Sequence, residues 1–245
     1  MPKAKPPKAA KGKDSKTTNL TAPAPPNWPV FRPPLPVIDL LLETLVESKV
    51  VVLRNFWPQK LCHDYVAFLK TLPLTTTPGK PKRGEAVRVN DRFQIHDPAF
   101  ASRLWLETGL KEALLDENVA SSWGGEVVGL SPNIRVYRYS KGQYFDCHYD
   151  ESNNLNITIE ESQHVSAKTT WTLLLYLTSA ADGCKGGETV FYPHDRPSAK
   201  EEIAVPPETG MLLLHKHGDD CMLHEGREVK SGEKWVLRTD LCVRR

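Results

Sequence analysis

The sequence lacks several features that would place it in a specialised class of protein. No run of about 18 consecutive apolar residues occurs, so a membrane-spanning helix is not expected. No apolar segment follows the charged residues at the start, so a secretory signal is not expected either. The five cysteines are scattered and include no CxxC pair, which argues against a disulfide framework or a cysteine-rich zinc site. We therefore expect a protein of the cytoplasm and/or nucleus that is not secreted and has no membrane partner.

A strong charge of one sign is also absent. The net charge is +2, so nucleic acid is not expected as a partner of the whole chain. The front is nevertheless rich in lysine, and ten of the 20 prolines lie within residues 1–36. Because such a segment buries little apolar surface, we expect 1–36 to be a disordered, basic, Pro-rich tail. It would serve as a solubilising leader or as an arm for nuclear import or an anionic partner. Residues 73–92 form a second basic segment, either a solvated loop or a lid that guides substrate.

Residues 37–125 are expected to form a helical N-terminal flank that packs on the core. The apolar residues of 37–48 have helical spacing, whereas Val50–Leu53 has the composition of a buried strand. Pro58 opens another helical pattern that continues to about residue 72. One or two further helices are expected over 98–119.

From residue 126 onward the pattern changes to short β-rich runs separated by Gly, Asn, Asp and Pro. This spacing is typical of a sandwich or barrel, so the expected fold class is mainly β with flanking helices, an α+β arrangement. The expected strands cover residues 127–130, 133–139, 144–150, 155–159, 169–178, 188–191, 211–215, 221–225 and 234–243.

The residues that indicate chemistry are His148 and Asp150, which lie two apart on an expected strand. Side chains at positions i and i+2 share one face, so the imidazole and the carboxylate point the same way. His215, His217 and His224 are candidates for a third ligand. Two histidines and one carboxylate leave three octahedral positions open, which suits a non-haem Fe(II) oxygenase. A structural zinc site is the alternative, although zinc usually takes four Cys or His ligands.

A second pattern lies in the last strand, where Lys234, Val236, Arg238 and Asp240 alternate onto one face. A cation on an apolar strand costs free energy unless it meets an anion, which a dicarboxylate co-substrate would supply. Four strand residues span roughly 13 Å, so Lys234 and Arg238 cannot both hold the same carboxylate. The pattern leaves open which of the two does so.

The second half of the chain resembles the 2-oxoglutarate/Fe(II)-dependent dioxygenases, and most of all their prolyl 4-hydroxylase group. The resemblance covers about residues 127–243 and rests on several motifs in the same order. These are Tyr139, Gly142-Gln143, His148-Tyr149-Asp150, the Leu-rich run 172–177, Gly186-Gly187-Glu188-Thr189, His224 and Lys234. The resemblance implies that residues 126–245 form a dioxygenase domain with a double-stranded β-helix core of the jelly-roll or cupin-like kind.

The resemblance also implies roles for these residues. His148, Asp150 and His224 would be the metal ligands and catalytic residues that hold Fe(II). Lys234 would bind the C5 carboxylate of 2-oxoglutarate with help from Tyr139, and Arg238 is the rival cation. The co-substrates would be 2-oxoglutarate and O2, and L-ascorbic acid would be bound as the reductant.

The function implied is that of an oxidoreductase, a dioxygenase that hydroxylates a C–H bond and converts 2-oxoglutarate to succinate and CO2. The expected substrate is a prolyl or another side chain of a protein or peptide. A hydroxylase of small molecules or free amino acids is one alternative, and a nucleic-acid demethylase is another. A non-catalytic β-barrel binding module is the alternative from another class. The sequence indicates neither the primary substrate nor the oligomeric state.

Overall fold

The structure of the protein is a computed structural model that describes residues 24–31, 35, 40–77, 86–159, 163–197 and 200–245. Most of the expected tail lies outside the described residues, as do residues 78–85 of the expected basic loop. Within the described part, no helix is both long enough and apolar enough to cross a membrane.

The described residues form mostly strands, with helices concentrated before residue 125. The strands are β1 (Leu42–Val46), β2 (Val50–Leu53), β3 (Thr75–Thr76), β4 (Arg88–Val89), β5 (Asp91–His96), β6 (Val127–Leu130), β7 (Asn133–Ser140), β8 (Tyr144–His148), β9 (Asn154–Ile159), β10 (Gln163–Tyr176), β11 (Lys185–Gly186), β12 (Thr189–Tyr192), β13 (Ile203–Val205), β14 (Leu212–Lys216), β15 (Leu223–Gly226), β16 (Val229–Ser231) and β17 (Glu233–Arg244). The α-helices are α1 (Gln59–Leu69), α2 (Pro98–Leu106) and α3 (Leu110–Leu115).

Two antiparallel sheets form the framework. The larger sheet has the order β1-β2-β14-β10-β17-β7-β5-β3, with β6 on β17 and β9 on β10. The smaller sheet has the order β13-β12-β15-β8-β4. Side chains from both sheets share one apolar cluster, so the sheets face each other. The expected class, mainly β with flanking helices and a double-stranded β-helix core, is confirmed.

The alternation of β17 determines which side chains face the helices and which face the second sheet. Trp235 and Leu237 pack in the cluster that contains the helices, whereas Val236 packs in the cluster between the sheets. Strand β10 repeats this division, because Leu173 lies on the helix side and Tyr176 lies between the sheets. Because side chains alternate with a period of two, one face of the large sheet packs against the helices and the other faces the space between the sheets, where a site can form.

The helices cover the outer face of the large sheet. Pro58 stands at the N-cap of α1, where its missing N–H has no consequence, and the helix buries Leu61, Tyr65 and Leu69. Asp97 caps α2 by accepting a hydrogen bond from the backbone N–H of Phe100. The capped helix buries its apolar stripe against the sheet, as expected for an amphipathic surface helix.

The structure differs from the sequence expectations in the N-terminal flank. The helix expected over 37–48 is wrong for the residues that are described, because Leu42–Val46 is strand β1 and pairs with β2. Its helical spacing is overridden by pairing with a buried strand. Strand β5 was not expected at all, yet it pairs with β7 along the large sheet. The flank thus contributes strands as well as helices.

The expected tail is also wrong in part, because residues 24–31 carry core side chains. The Trp28 ring stacks on Phe100 with centroids 4.2 Å apart, and its Nε1–H donates to Asp97 Oδ2 at 2.7 Å. Phe31 is buried beside Tyr65. Composition alone misses this contribution, since two aromatic residues anchor a segment that is otherwise rich in proline.

Candidate active site

Two strands of the smaller sheet bring the candidate metal ligands together. His148 ends β8, and His224 lies on the neighbouring β15 directly opposite to it in the strand register. Asp150 follows two residues after His148. One ligand atom from each of these three residues lies within 4.8 Å of the others. We call this group the metal site.

Hydrogen bonds fix the orientation of both histidine rings. His148 Nδ1 lies 2.7 Å from the carbonyl oxygen of Asp146, and His224 Nδ1 lies 2.9 Å from that of Met222. Each Nδ1–H therefore donates to the backbone, which leaves the lone pair of Nε2 free. Burial lowers the pKa of both rings, that of His148 to about 3. Both imidazoles are thus neutral at physiological pH, as metal ligands must be.

Asp150 is buried but remains ionised. Its Oδ2 accepts a hydrogen bond from Thr172 Oγ1 at 2.9 Å and forms an ion pair with Arg238 Nη2 at 2.9 Å. Burial by itself would raise the pKa of Asp150, but the Arg238 cation and the nearby histidines hold it well below the usual value. A carboxylate and two neutral imidazoles that converge in this way fit a divalent transition metal of the Fe(II) type.

A third histidine, His215, also reaches this site from β14. Its Nε2 lies 3.6 Å from Asp150 Oδ2, and its ring centroid lies 4.5 Å from that of His224. Neither ring nitrogen has a hydrogen-bond partner among the described residues. His217, by contrast, has both ring nitrogens bonded to threonine hydroxyls, so neither is free to bind a metal. Because His215 and His217 are two positions apart, the sequence alone could not tell which of them faces the metal ligands.

Cys221 offers an alternative metal cluster with His215 and His224. Burial raises the pKa of the Cys221 thiol to about 11, so it is protonated at neutral pH. Its sulfur already accepts the backbone N–H of Asp150 at 3.3 Å. The thiol also donates to the carbonyl oxygen of Met222 at 3.4 Å, and this cluster has three residues where a structural zinc site usually has four ligands, so the geometry favours the metal site.

Lys234 lies deep between the sheets, where β17 pairs with β7. It is directly opposite Tyr139 in the register and lies beneath the same cavity as the metal site. Its Nζ is 5.6 Å from the centroid of the Tyr139 ring and 5.3 Å from that of Tyr176. Burial lowers the pKa of Lys234 to about 8. No carboxylate of the described residues pairs with this cation, so it can receive an anion from a ligand.

The Gly-Gly-Glu-Thr motif forms the wall beside Lys234. The carbonyl oxygen of Gly187 accepts a hydrogen bond from Lys234 Nζ at 2.7 Å, and Thr189 Oγ1 lies 3.5 Å from the same atom. Gly187 has φ +73°, and a Cβ at this position would meet Lys234 Cδ at 3.1 Å. Glycine is therefore required both by the backbone conformation and by the close approach of the lysine.

Arg238 occupies a different position from Lys234, nearer to the metal site. Its guanidinium contacts Asp150 Oδ1 at 3.3 Å and Asp150 Oδ2 at 2.9 Å, and it lies 3.5 Å from Asp240 Oδ1. The structure thus brings all six residues selected from the sequence to one cavity, but it gives the two cations different surroundings. The ion pairs of Arg238 and the Thr172 bond were not anticipated from the sequence. Thr172, the first residue of the Leu-rich run 172–177, was the available signal for the second.

A larger cavity lies on the other side of Arg238 and Asp240. Its volume is about 570 Å³, and most of its lining side chains are polar, including Gln94, Asn133, Arg135, Asn153 and Asp240. We call it the side cavity. This volume lies within the range that is typical of ligand pockets.

Comparison with known proteins gives a consistent family. Residues 134–239 match the family described as the 2OG-Fe(II) oxygenase superfamily. The chain is 33% identical over 139 residues to a probable prolyl 4-hydroxylase 4 of Arabidopsis thaliana. The aligned segment covers 49% of this chain and 44% of the relative. It is 30% identical over 168 residues to prolyl 4-hydroxylase 2 of the same plant, covering 60% and 53%. The chain thus spans about half the length of the curated relatives it matches.

Solved structures share the fold. A viral collagen prolyl hydroxylase from Paramecium Bursaria Chlorella virus-1, in complex with 2-oxoglutarate, matches with a TM-score of 0.53 at 18% identity, covering 80% of this chain and 96% of that one. A Pseudomonas putida prolyl-4-hydroxylase matches with a TM-score of 0.54 at 16% identity, covering 80% and 94%. At this level of identity the likeness is evidence for the fold.

Proposed function

We propose that this chain is a member of the 2-oxoglutarate–Fe(II) oxygenase superfamily, which residues 134–239 match, and that it is a dioxygenase that hydroxylates a prolyl residue of a protein or peptide. The observation that carries the proposal is the convergence of His148, Asp150 and His224 beside Lys234, a buried cation that pairs with no carboxylate of the described residues. The prolyl substrate is supported by the curated relatives, both of which are named as prolyl 4-hydroxylases.

The proposed reaction consumes 2-oxoglutarate, O2 and a substrate C–H bond, and it yields succinate, CO2 and the hydroxylated product. Bound Fe(II) would supply the redox chemistry that couples these two oxidations. His148 and His224 would each offer a neutral Nε2, and Asp150 would offer one carboxylate oxygen. These three ligands would lie on one side of the metal, which leaves the other side for the co-substrates.

Lys234 is the better candidate for the residue that binds the distal carboxylate of 2-oxoglutarate. Its ammonium lacks a carboxylate partner among the described residues, whereas the Arg238 guanidinium is already paired with Asp150 and Asp240. Tyr139 stands opposite Lys234, and burial raises the pKa of its hydroxyl, which therefore stays protonated and able to donate a hydrogen bond. Together they would form a site for one carboxylate at the closed end of the cavity.

Other parts of the proposal rest on the sequence alone. These are O2 as the oxidant, ascorbate as the reductant and a location in the cytoplasm and/or nucleus. The alternatives of a free amino acid as substrate or a non-catalytic binding module have no comparable support in the relatives or in the site.

The test is turnover with purified protein, Fe(II), 2-oxoglutarate and proline-containing peptides. We expect succinate to form and the peptide to gain one oxygen atom on proline, as read by mass spectrometry. His148→Ala and Asp150→Ala should each abolish both signals. His194→Ala is the matched control, because this histidine is exposed and its ion-pair partner among the described residues is Glu201. Full succinate production by either site variant would refute the proposed metal site.

A further inference from the structure

Arg238 is a buried charged residue beside the metal site, and its contacts have no role in the reaction as proposed so far. Its Nη2 lies 2.9 Å from Asp150 Oδ2 and 3.3 Å from Thr172 Oγ1, and its Nη1 lies 3.3 Å from Asp150 Oδ1. The side chain is 11% exposed. A buried guanidinium that contacts both oxygens of a candidate metal ligand controls where that carboxylate can point.

Arg238 is also in ion-pair contact with a second carboxylate, through the same Nη2 atom. Asp240 Oδ1 lies 3.5 Å from Arg238 Nη2, and Asp240 Oδ2 lies 2.6 Å from Arg135 Nη2. Asp150, Arg238, Asp240 and Arg135 therefore form a ladder of alternating charge, which we call the charge ladder. It runs from the metal site to the wall of the side cavity, where Arg135 and Asp240 are both lining residues.

The charge ladder is balanced, with two carboxylates and two guanidiniums. Buried charges are tolerated when they are paired and hydrogen-bonded, and removing one partner leaves another uncompensated. Because each inner member contacts two neighbours, Arg238 cannot leave Asp150 to bind a co-substrate without also leaving Asp240. This arrangement suits a fixed structural role better than a ligand-binding one.

The two oxygens of Asp150 are unequally engaged. Oδ2 accepts a hydrogen bond from Thr172 and forms an ion pair with Arg238 Nη2, both at 2.9 Å, whereas Oδ1 accepts the longer hydrogen bond of 3.3 Å from Arg238 Nη1. Oδ1 also lies 3.8 Å from His148 Nε2. Oδ2 lies 3.9 Å from His224 Nε2, so each oxygen faces one candidate histidine ligand, but the shorter contacts with Thr172 and Arg238 engage Oδ2 more closely than Oδ1.

We propose that Arg238 is a positioning residue for Asp150, which it holds so that one carboxylate oxygen is presented to the metal, and that Asp240 and Arg135 hold Arg238 in turn. This inference rests on the proposed function, because it assumes that Asp150 is a metal ligand. It assigns Arg238 a role different from binding 2-oxoglutarate. A carboxylate limited to one donor oxygen leaves more of the metal's positions for the co-substrates.

The experiment separates metal binding from co-substrate binding. Mn(II) affinity is measured without 2-oxoglutarate, from the electron paramagnetic resonance signal of free Mn(II). The affinity for 2-oxoglutarate is then measured by calorimetry at saturating Mn(II). The variants are Arg238→Met, Arg238→Lys and Thr172→Val. Arg244→Met is the matched control, an arginine of the same strand that pairs with Glu126 at the surface.

We expect both Arg238 variants to weaken Mn(II) binding by about 10- to 100-fold, the usual cost of losing a residue that orients a metal ligand. Arg238→Lys keeps the charge but cannot bridge Asp150 and Asp240 as a guanidinium does. Thr172→Val should weaken Mn(II) binding in the same direction by a smaller factor, and it provides the test if the Arg238 variants do not fold. The affinity for 2-oxoglutarate at saturating metal should stay within about threefold in every variant.

Three results would overturn the inference. Arg238→Met could bind Mn(II) as tightly as the unaltered protein or more tightly, which would show that the cation only repels the metal. Arg238→Lys could retain full affinity, which would show that charge suffices without the contact to both carboxylates. Loss of 2-oxoglutarate binding with unchanged Mn(II) affinity would make Arg238 the anchor. Because Mn(II) binding requires no turnover, absence of hydroxylation would refute the proposed function without deciding this inference.

Discussion

Replacing Lys234 with Met should stabilise the folded protein and greatly weaken its binding of 2-oxoglutarate. Lys234 is 4% exposed, and none of the described carboxylates pairs with it. Burial lowers its pKa to about 8 from the usual 10.5. At about 1.4 kcal/mol per pKa unit, the buried charge lowers the free energy of unfolding at pH 7 by roughly 3 kcal/mol.

The substitution also removes favourable contacts, which reduces the expected gain. Lys234 Nζ donates to the Gly187 carbonyl at 2.7 Å and lies near the rings of Tyr139 and Tyr176. The hydrogen bond contributes about 1 kcal/mol, and the cation–π contacts contribute about 1 kcal/mol together. We therefore expect the metal-free Lys234→Met protein to be about 1 kcal/mol more stable than the unaltered protein at pH 7.

The gain should depend on pH in a defined direction. Since the pKa of Lys234 is lower in the folded state, the unfolded chain binds more protons between about pH 8 and 10.5. The stability of the unaltered protein therefore rises through this range relative to Lys234→Met, and the advantage of the variant shrinks. Urea unfolding at pH 7 and pH 9.5 measures the change. Lys168→Met is the control, since this exposed lysine of β10 should change stability by less than about 0.5 kcal/mol.

The affinity for 2-oxoglutarate should fall for the same structural reason. Without Lys234, the distal carboxylate would enter a buried site that lacks a cation, at a cost of about 3 kcal/mol or more. This corresponds to binding that is at least about 100-fold weaker in the presence of saturating Mn(II). Binding within threefold of the unaltered protein would refute the assignment of Lys234. An advantage of the variant that does not shrink at pH 9.5 would refute the argument from burial.

Three further predictions concern Lys234, Gly187 and Trp28. Binding of 2-oxoglutarate should weaken as pH rises above about 8, because Lys234 must be protonated; Lys234→Arg, which stays charged, should lose this dependence in a calorimetric titration series. Gly187→Ala should lower the free energy of unfolding by about 1 kcal/mol or more and weaken 2-oxoglutarate binding, since its Cβ would meet Lys234 and Val229 at 3.1 Å from a backbone with φ +73°. Trp28→Ala should lower the free energy of unfolding by about 3 kcal/mol in urea, and an unchanged midpoint would show that residues 24–31 are not part of the folded domain.

The strands that bear the site could be predicted because their patterns are strong. The runs expected at 133–139 and 234–243 are present as β7 and β17, each with side chains that alternate between two buried surroundings. Alternation also indicated correctly that Lys234 and Arg238 share one face. The period of two determines which face of the strand a side chain occupies. On β17, Trp235 and Leu237 face the helices, whereas Lys234, Val236 and Arg238 face the space between the sheets.

The partners of these side chains could not be predicted from local pattern. Arg238 and Asp150 are 88 positions apart in sequence, and only the closure of the two sheets brings them to 2.9 Å. The same limit explains the errors in the flank. Leu42–Val46 has helical spacing, but it pairs with Val50–Leu53 and so becomes a strand. Trp28 lies among prolines, yet its ring stacks on a helix that begins 70 residues later.

The two cations of β17 show how depth along one strand determines chemical role. Both lie on the inner face, but Lys234 is opposite Tyr139 at the closed end, whereas Arg238 is opposite Arg135 beside the metal site. Aromatic rings and a backbone carbonyl surround the first, and no carboxylate in the described part of the chain pairs with it, so its charge can be compensated by an anion from a ligand. Two carboxylates surround the second, so its charge is compensated before any ligand binds. A buried cation without a partner favours ligand binding over stability, and a cation paired with two carboxylates favours fixed geometry, so the partners rather than the residue type assign the roles.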